Sequence, residues 1–298
     1  MTNTSMQEKS AIPYALAMLG VLFASVCFGL VPYFSRALTE QGIAPYAVAF
    51  YRYIVAAVLL VPVLISHRKA WRVIVWGLSA GAVMGLGWIG YATALETLPA
   101  STVGVLYMTY PVFTLVIAWV LFADAPTRRA LLASGLIVMA AIIAGSPASA
   151  SKEYIPTLLI ALAAPFGFGF GICVLVHRLS RIAPLARIAS VSLGSIFGLA
   201  PLVLTAEMTE LLPQDPSDWL LIVGIGLVTA LVPQLIYTVC SPMIGASQTA
   251  IAGSIELPTM FAVGFFAFGE AITTPQAIAC AFVLAAIVVT KRRETRIA

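Results

Sequence analysis

The chain is 298 residues long, 61% of them apolar and only 9% charged, with a mean hydropathy of +1.03 and a net charge of +4. Soluble domains carry about 25% charged residues, so an aqueous globular fold is excluded and lipid is the expected solvent. The positive charge does not point to nucleic acid, because Lys and Arg fall mostly in short loops between apolar runs.

Met1 to Pro13 is polar with a single Lys, and the apolar run behind it is too long for the h-region of a cleaved signal. About 20 mainly apolar residues cross a bilayer, and the sequence predicts ten such helices. They are Tyr14 to Ala37, Pro45 to Ser66, Trp71 to Leu95, Ala100 to Phe122, Ala130 to Gly145, Tyr154 to His177, Ala183 to Leu204, Trp219 to Cys240, Ser247 to Phe268, and Pro275 to Thr290. The fifth and tenth are short and span with snorkelling flanks. Basic loops face the cytoplasm. With the N-terminus inside, that face holds Lys9, Arg68, Lys69, Arg72, Arg128, Arg129, Arg178, Arg181, Arg187, Lys291, Arg292, Arg293 and Arg296, against Arg36 and Lys152 on the other. Both termini are therefore expected in the cytoplasm, with Glu207, Glu210, Asp215 and Asp218 outside. The loops are too short for a soluble catalytic or ATPase domain.

The chain also reads as duplicated. Pro99-Ala100-Ser101 corresponds to Gly245-Ala246-Ser247 and Asp124 to Glu270 at one constant offset, which Pro111 and Pro258 miss by one residue. Pro45 and Pro62 bracket one helix as Pro184 and Pro201 bracket another. Residues 1–145 and 146–298 are thus expected to be two five-helix repeats of one bundle. Because five is odd, the second repeat inserts upside down. That is the architecture of secondary carriers, with a midplane site between the halves.

No phosphate-binding glycine loop, H-E-x-x-H or metal-ligand cluster occurs, and Cys27, Cys173, Cys240 and Cys280 lie singly in apolar runs as inert thiols. Neither metal, cofactor nor enzyme activity is expected. Gly77-Leu78-Ser79-Ala80-Gly81 fits G-x-S-x-G but lies within a helix and lacks a triad histidine, since His67 and His177 flank basic loops. Gly77, Gly81 and Gly85 read instead as close helix packing, and Gly87, Trp88, Gly90 and Tyr91 as a helix beside a cavity. Arg52 and Glu256 lie inside helices, where each costs at least about 3 kcal/mol. Glu256 reads equally as a site for a substrate ammonium or a proton and as a structural partner for Arg52 or a hydroxyl. Arg52, near its helix start, reads as snorkelling or structurally paired. Prolines and aromatics interrupt the apolar runs at Pro32-Tyr33, Tyr107, Tyr110-Pro111, the Phe/Gly alternation after Pro165, Pro233-Gln234 and Tyr237. A proline frees a carbonyl, tolerable in a bilayer only where protein or a wet cavity satisfies it. Ordinary packing explains most of these aromatics, and Trp71, Tyr154 and Trp219 read as interfacial anchors.

Ten helices in two halves, each half closing with a proline-containing helix, a small-residue and acidic turn (Phe122-Ala123-Asp124, Phe268-Gly269-Glu270) and a short last helix, resemble the EamA-type carriers of the drug/metabolite transporter superfamily. The resemblance covers nearly the whole chain. It implies a multi-pass protein of the bacterial inner membrane, with helices one to four and six to nine around a cavity, five and ten at the side, and alternating access by the halves. Within that family the aromatics most resemble exporters of aromatic amino acids. Two departures, Asp124 against Glu270 and Tyr110 where the offset would place Glu256, mark the turn acids as structural. The expected substrate is an aromatic or neutral amino acid or a related metabolite. Trp88, Tyr91, Tyr107, Tyr110, Phe168 and Tyr237 are expected to meet its side chain, and Gln234 and Glu256 its amino group. Glu256 among aromatics also suits a lipophilic cation. A phosphorylated substrate would want more than one Lys or Arg at the midplane, and a scramblase or membrane enzyme is a distant reading. Monomer and dimer stay open.

Overall fold

The computed structural model describes residues 13–95, 97–98, 100–144, 155–213 and 215–290. Lys9, Pro99, Gly145, Lys152, Tyr154, the basic residues 291–296 and the expected 145/146 boundary lie outside the described residues. Those described contain helices and no strand. Seven helical stretches are long and apolar enough to cross a membrane: Tyr14–Glu40, Pro45–Ser66, Arg68–Ala94, Ile155–Arg181, Pro184–Thr205, Asp218–Ile244 and Ala246–Phe268. Tyr110–Phe122 and Thr274–Thr290 are shorter apolar helices.

In chain order the helices are α1 (Tyr14–Phe28), α2 (Val31–Glu40), α3 (Pro45–Ser66), α4 (Trp71–Leu95), α5 (Ala100–Tyr107), α6 (Tyr110–Phe122), α7 (Arg128–Ala144) and α8 (Ile155–Ala161). They continue with α9 (Ala163–His177), α10 (Pro184–Thr205), α11 (Met208–Leu211), α12 (Asp218–Gly226), α13 (Val232–Ile244), α14 (Ala246–Gly253), α15 (Glu256–Phe268) and α16 (Thr274–Thr290). Four spans expected to be continuous are broken in mid-course. α1 yields to α2 ahead of Pro32, α5 to α6 ahead of Pro111, α8 to α9 ahead of Pro165, and α14 to α15 ahead of Pro258. Proline fits the first turn of a helix and not its interior, so each restarts a helix. Between α12 and α13 a π turn, Leu227–Leu231, precedes Pro233.

Helix lengths recur between the halves. α3 and α10 have 22 residues each, α5 and α14 have 8, α6 and α15 have 13, and α7 and α16 have 17. α6 and α15 also end alike. Ala123 (φ 55°) and Gly269 (φ 67°) turn left-handed, and the N–H of the following acid, Asp124 or Glu270, returns 3.0 Å to the Ala118 or Gly264 carbonyl. Such a turn closes a helix with its last carbonyls bonded.

The tightest contact joins α4 to α10. A Cβ on Gly81 would strike the Val191 carbonyl, and one on Gly194 the Leu78 carbonyl. Small residues permit this approach where lipid gives apolar bulk no advantage. Gly87 and Gly90 serve α9 and α8 in the same way, facing the Ala163 and Ile160 carbonyls, so only Trp88 and Tyr91 of that stretch turn to a cavity. α16 lies along α7, α1 along α13 and α9 along α4.

The bundle has two distinguishable ends. At one, Arg36 binds Glu40 (3.0 Å) and Glu270 (2.9 Å) and lies 4.2 Å from the Phe268 ring centre. At the other, Tyr14 bonds Gln248, and Gln248, Asp124 and Thr290 line one cleft. There His177 stacks on Phe122 at 4.7 Å with Nε2 3.5 Å from Asp124, and Arg178 lies over Phe122 and Trp76.

Two substitutions test this packing by thermal unfolding in detergent. Gly81→Ala is expected to lower the melting temperature through overpacking of about 1–3 kcal/mol. Ala123→Gly is expected to raise it by relieving the left-handed alanine, roughly 1 kcal/mol. Equal melting for both variants and the parent would contradict the geometry at each position.

Candidate functional site

The helix breaks surround a cavity of about 430 Å³. Arg36, Thr39, Pro45 and Gln276 line it toward the Arg36 end, and Phe28, Arg52, Trp88, Tyr91, Tyr107, Phe168 and Glu256 line it in the middle of the bundle. A hollow of about 30 Å³ adjoins it, sharing Phe28, Arg52, Trp88, Tyr107 and Phe168 and adding Tyr53 and Gln234. Another of about 60 Å³ shares Phe28, Phe168 and Gln234 and reaches Tyr237 and Arg187, the latter in the first turn of α10. Phe28 and Phe168 line all three.

Rings from three spans make the wall. Trp88 meets Tyr91 at 5.1 Å and Tyr107 at 6.0 Å, and Tyr107 meets Phe168 at 5.8 Å. Trp88 is fixed by donating Nε1–H to the Tyr53 hydroxyl at 3.2 Å. The Phe/Gly alternation is explained on both faces: Gly167 and Gly171 admit Val83 and Met84 of α4, Gly169 admits Thr114 of α6, and Phe168 is left facing the cavity. Tyr110 stands behind the wall. It is fully buried, packs edge-on against Phe168 at 4.8 Å and presses its hydroxyl on Gly253. Tyr237 packs on Phe28 at 5.5 Å and lines only the hollow toward Arg187.

Glu256 is the first residue of α15 and 2% exposed. A helix N-terminus favours a carboxylate, and Gly29, lacking a side chain, lets the α1–α2 junction close over Thr259 and the Glu256 carbonyl. Its Oε1 is buried without a hydrogen-bond partner, and it joins no ion pair among the described residues. Arg52 attracts it across the cavity, but no contact ion pair joins the two. Arg52 is buried on α3 and donates from Nε (3.1 Å) and Nη2 (2.9 Å) to the Thr229 carbonyl, while its guanidinium carbon lies 5.5 Å from the Phe28 ring centre. Pro233 has no N–H to give that carbonyl, so Arg52 supplies the donor. Arg187 does the same about two and a half turns further on, bonding the Thr238 carbonyl (2.6 Å) ahead of Pro242, and also the Ile182 and Ser180 carbonyls.

Six of the eight residues singled out in the sequence line the main cavity or its neighbouring 30 Å³ hollow: Trp88, Tyr91, Tyr107, Phe168, Gln234 and Glu256. Tyr110 and Tyr237 support them. Sequence reasoning left out Phe28, whose place just before the Gly29 break was the available signal, and treated Arg52 as a scaffold residue. No group of three His, Cys, Asp or Glu that could hold a metal occurs among the described residues. Ser79 sits in mid-helix and bonds the Trp76 carbonyl (2.9 Å), not a nucleophile elbow.

The sequence profile of the EamA-like transporter family matches the chain twice, over residues 15–146 and 155–292. A riboflavin transporter of Brucella anthropi is 27% identical over 237 residues, 78% of this chain and 83% of that protein. A solved structure described as "Crystal structure of protein" superposes with a TM-score of 0.74 at 16% identity, covering 93% of this chain and 96% of the other. That likeness shows the fold.

The Arg52–Thr229 bond makes a prediction. Arg52→Met is expected to cost about 1–3 kcal/mol by orphaning a buried carbonyl, and markedly less in a Pro233→Ala background, where residue 233 regains its N–H. A double-mutant cycle on thermal stability measures the coupling; strict additivity would sink the account.

Proposed function

The chain belongs to the EamA-like transporter family, and from that premise we propose that this multi-pass membrane protein is a secondary carrier that exports aromatic or neutral amino acids, or metabolites resembling them. Export runs across the bacterial inner membrane by alternating access of two inverted five-helix halves, 1–145 and 146–298, with both termini in the cytoplasm. The observation that best supports the reading is a buried carboxylate, Glu256, with one oxygen free of any hydrogen-bond partner, in an aromatic-walled cavity of about 430 Å³. Ligand pockets of this kind are mostly apolar, with a few placed polar groups.

In this reading Trp88, Tyr91, Tyr107 and Phe168 meet the substrate's side chain, Tyr110 and Tyr237 brace them, and Gln234 and Glu256 receive the amino group. Each aromatic contact contributes about 0.5–1.5 kcal/mol, enough to select and weak enough to release. With the N-terminus inside, the Arg36 end faces outward and the cavity is loaded from or emptied to that side. Phe122, Asp124 and His177, together with Tyr14 and Gln248, then close the cytoplasmic end. A second reading, transport of a flat heterocycle, is favoured by the Brucella anthropi relative, and Glu256 also suits a lipophilic cation.

The full chain in liposomes, assayed by counterflow of radiolabelled substrate, separates these. Saturable flux of phenylalanine and tryptophan is expected, at least about tenfold lower for Glu256→Gln, with KM raised about three- to tenfold by Trp88→Ala or Tyr107→Ala. Flux of riboflavin alone would move the substrate to the second reading, and flux of tetraphenylphosphonium alone to the cation.

A further inference from the structure

We propose that Arg52 reads an anionic group of the substrate, so that the cavity prefers a zwitterion with its carboxylate on Arg52 and its ammonium on Glu256. This deepens the carrier reading and rests on it. The structure holds its own comparison. Arg187 spends all three nitrogens of its guanidinium on backbone carbonyls, those of Ile182, Thr238 and Ser180. Arg52 spends two nitrogens on one carbonyl, that of Thr229, and its Nη1 donates to no described residue. An arginine serving only as a carbonyl donor has no need of that second arm.

The remaining N–H groups belong to a side chain that lines both the main cavity and the hollow beside it. Glu256 lines the same cavity with one carboxylate oxygen buried and unbonded. A buried cation and a buried anion share one space, and no ion pair joins them. They attract each other across that space, but a buried charge that no opposite charge contacts still costs free energy. One ligand relieves both: a dipolar molecule with an anionic fork at one end and an ammonium at the other. A guanidinium binds a carboxylate by two parallel hydrogen bonds, and Trp88 and Tyr107, beside Arg52 in both spaces, cover the ring of an aromatic amino acid. A lipophilic cation leaves Arg52 unused, and an uncharged heterocycle leaves both.

The test is counterflow of radiolabelled phenylalanine in liposomes holding the full chain, competed by phenylalanine, phenethylamine (no carboxylate) and 3-phenylpropionate (no ammonium). Phenylalanine is expected to compete about ten- to a hundredfold better than either analogue. Arg52→Gln should abolish the preference over phenethylamine and keep that over phenylpropionate, Glu256→Gln should do the reverse, and Arg52→Lys should retain part of the first. If Arg52→Gln fails to give a monodisperse protein, the wild-type competition decides alone. Phenethylamine competing as well as phenylalanine, or Arg52→Gln keeping the wild-type preference, overturns the role of Arg52 and leaves the carrier standing. Absence of amino-acid flux, with riboflavin or tetraphenylphosphonium carried instead, overturns the substrate reading itself.

Discussion

In lipid a backbone carbonyl without a donor has no water to turn to, and the stretch from α12 to α13 contains two such carbonyls. Pro233 and Pro242 remove the donors for Thr229 and Thr238, and Arg52 from α3 and Arg187 from α10 replace them. The first bond crosses from one half of the chain to the other. It also sets the site, because Tyr53 follows Arg52 on α3 and holds the Trp88 ring that forms the cavity wall. A proline defect in one helix thus fixes a cation, a tyrosine and a tryptophan in order.

The same kind of defect, repeated in four spans, makes the cavity. A continuous helix presents only side chains to its neighbours, whereas the breaks near Gly29, Thr109, Leu162 and Ser254 let backbones meet and helices change direction. Away from the breaks the two ends carry matching parts. Phe122-Ala123-Asp124 and Phe268-Gly269-Glu270 lie at opposite ends of the bundle, and each aromatic carries a cation from a different span, Arg178 on Phe122 and Arg36 on Phe268. Glu270 pairs with Arg36, Asp124 lies 3.5 Å from His177 Nε2, and neither acid lines the main cavity, which fits a structural role at each end.

Much of this was legible in the sequence because proline and glycine act locally. Pro32, Pro111 and Pro165 marked interruptions in runs that were nonetheless expected to be continuous helices, while the α4–α10 contact follows from glycines four residues apart and the duplication from the two turn motifs. What was not legible depends on distance in the chain. Arg52 and Thr229 are 177 positions apart, and nothing near Arg52 announces the carbonyl it serves. Gly87 and Gly90 alternate with Trp88 and Tyr91, and only the position of α8 and α9 shows that the glycines face backbone while the rings face the cavity. Tyr110 looked like a wall residue, yet its place at the start of α6 buries it behind Phe168.

The two halves therefore contribute unequally at positions that correspond. α6 begins with Tyr110 and α15 with Glu256, each at the first residue of a 13-residue helix. A carboxylate at both would put two like charges at one midplane and disfavour their joint ionisation. A tyrosine at the first position supplies bulk and no formal charge at neutral pH, so the opposing charge comes from elsewhere in the first half, from Arg52. The cation belongs to one half and the anion to the other, both on the same cavity. In the proposed carrier, rocking the halves against each other would change the separation of the two charges, and a dipolar ligand bridging them would be held most tightly in the arrangement that matches its own length. Differential affinity between two arrangements is the one means by which a ligand biases a conformational equilibrium. In this protein the bridge between halves is where such a bias would act.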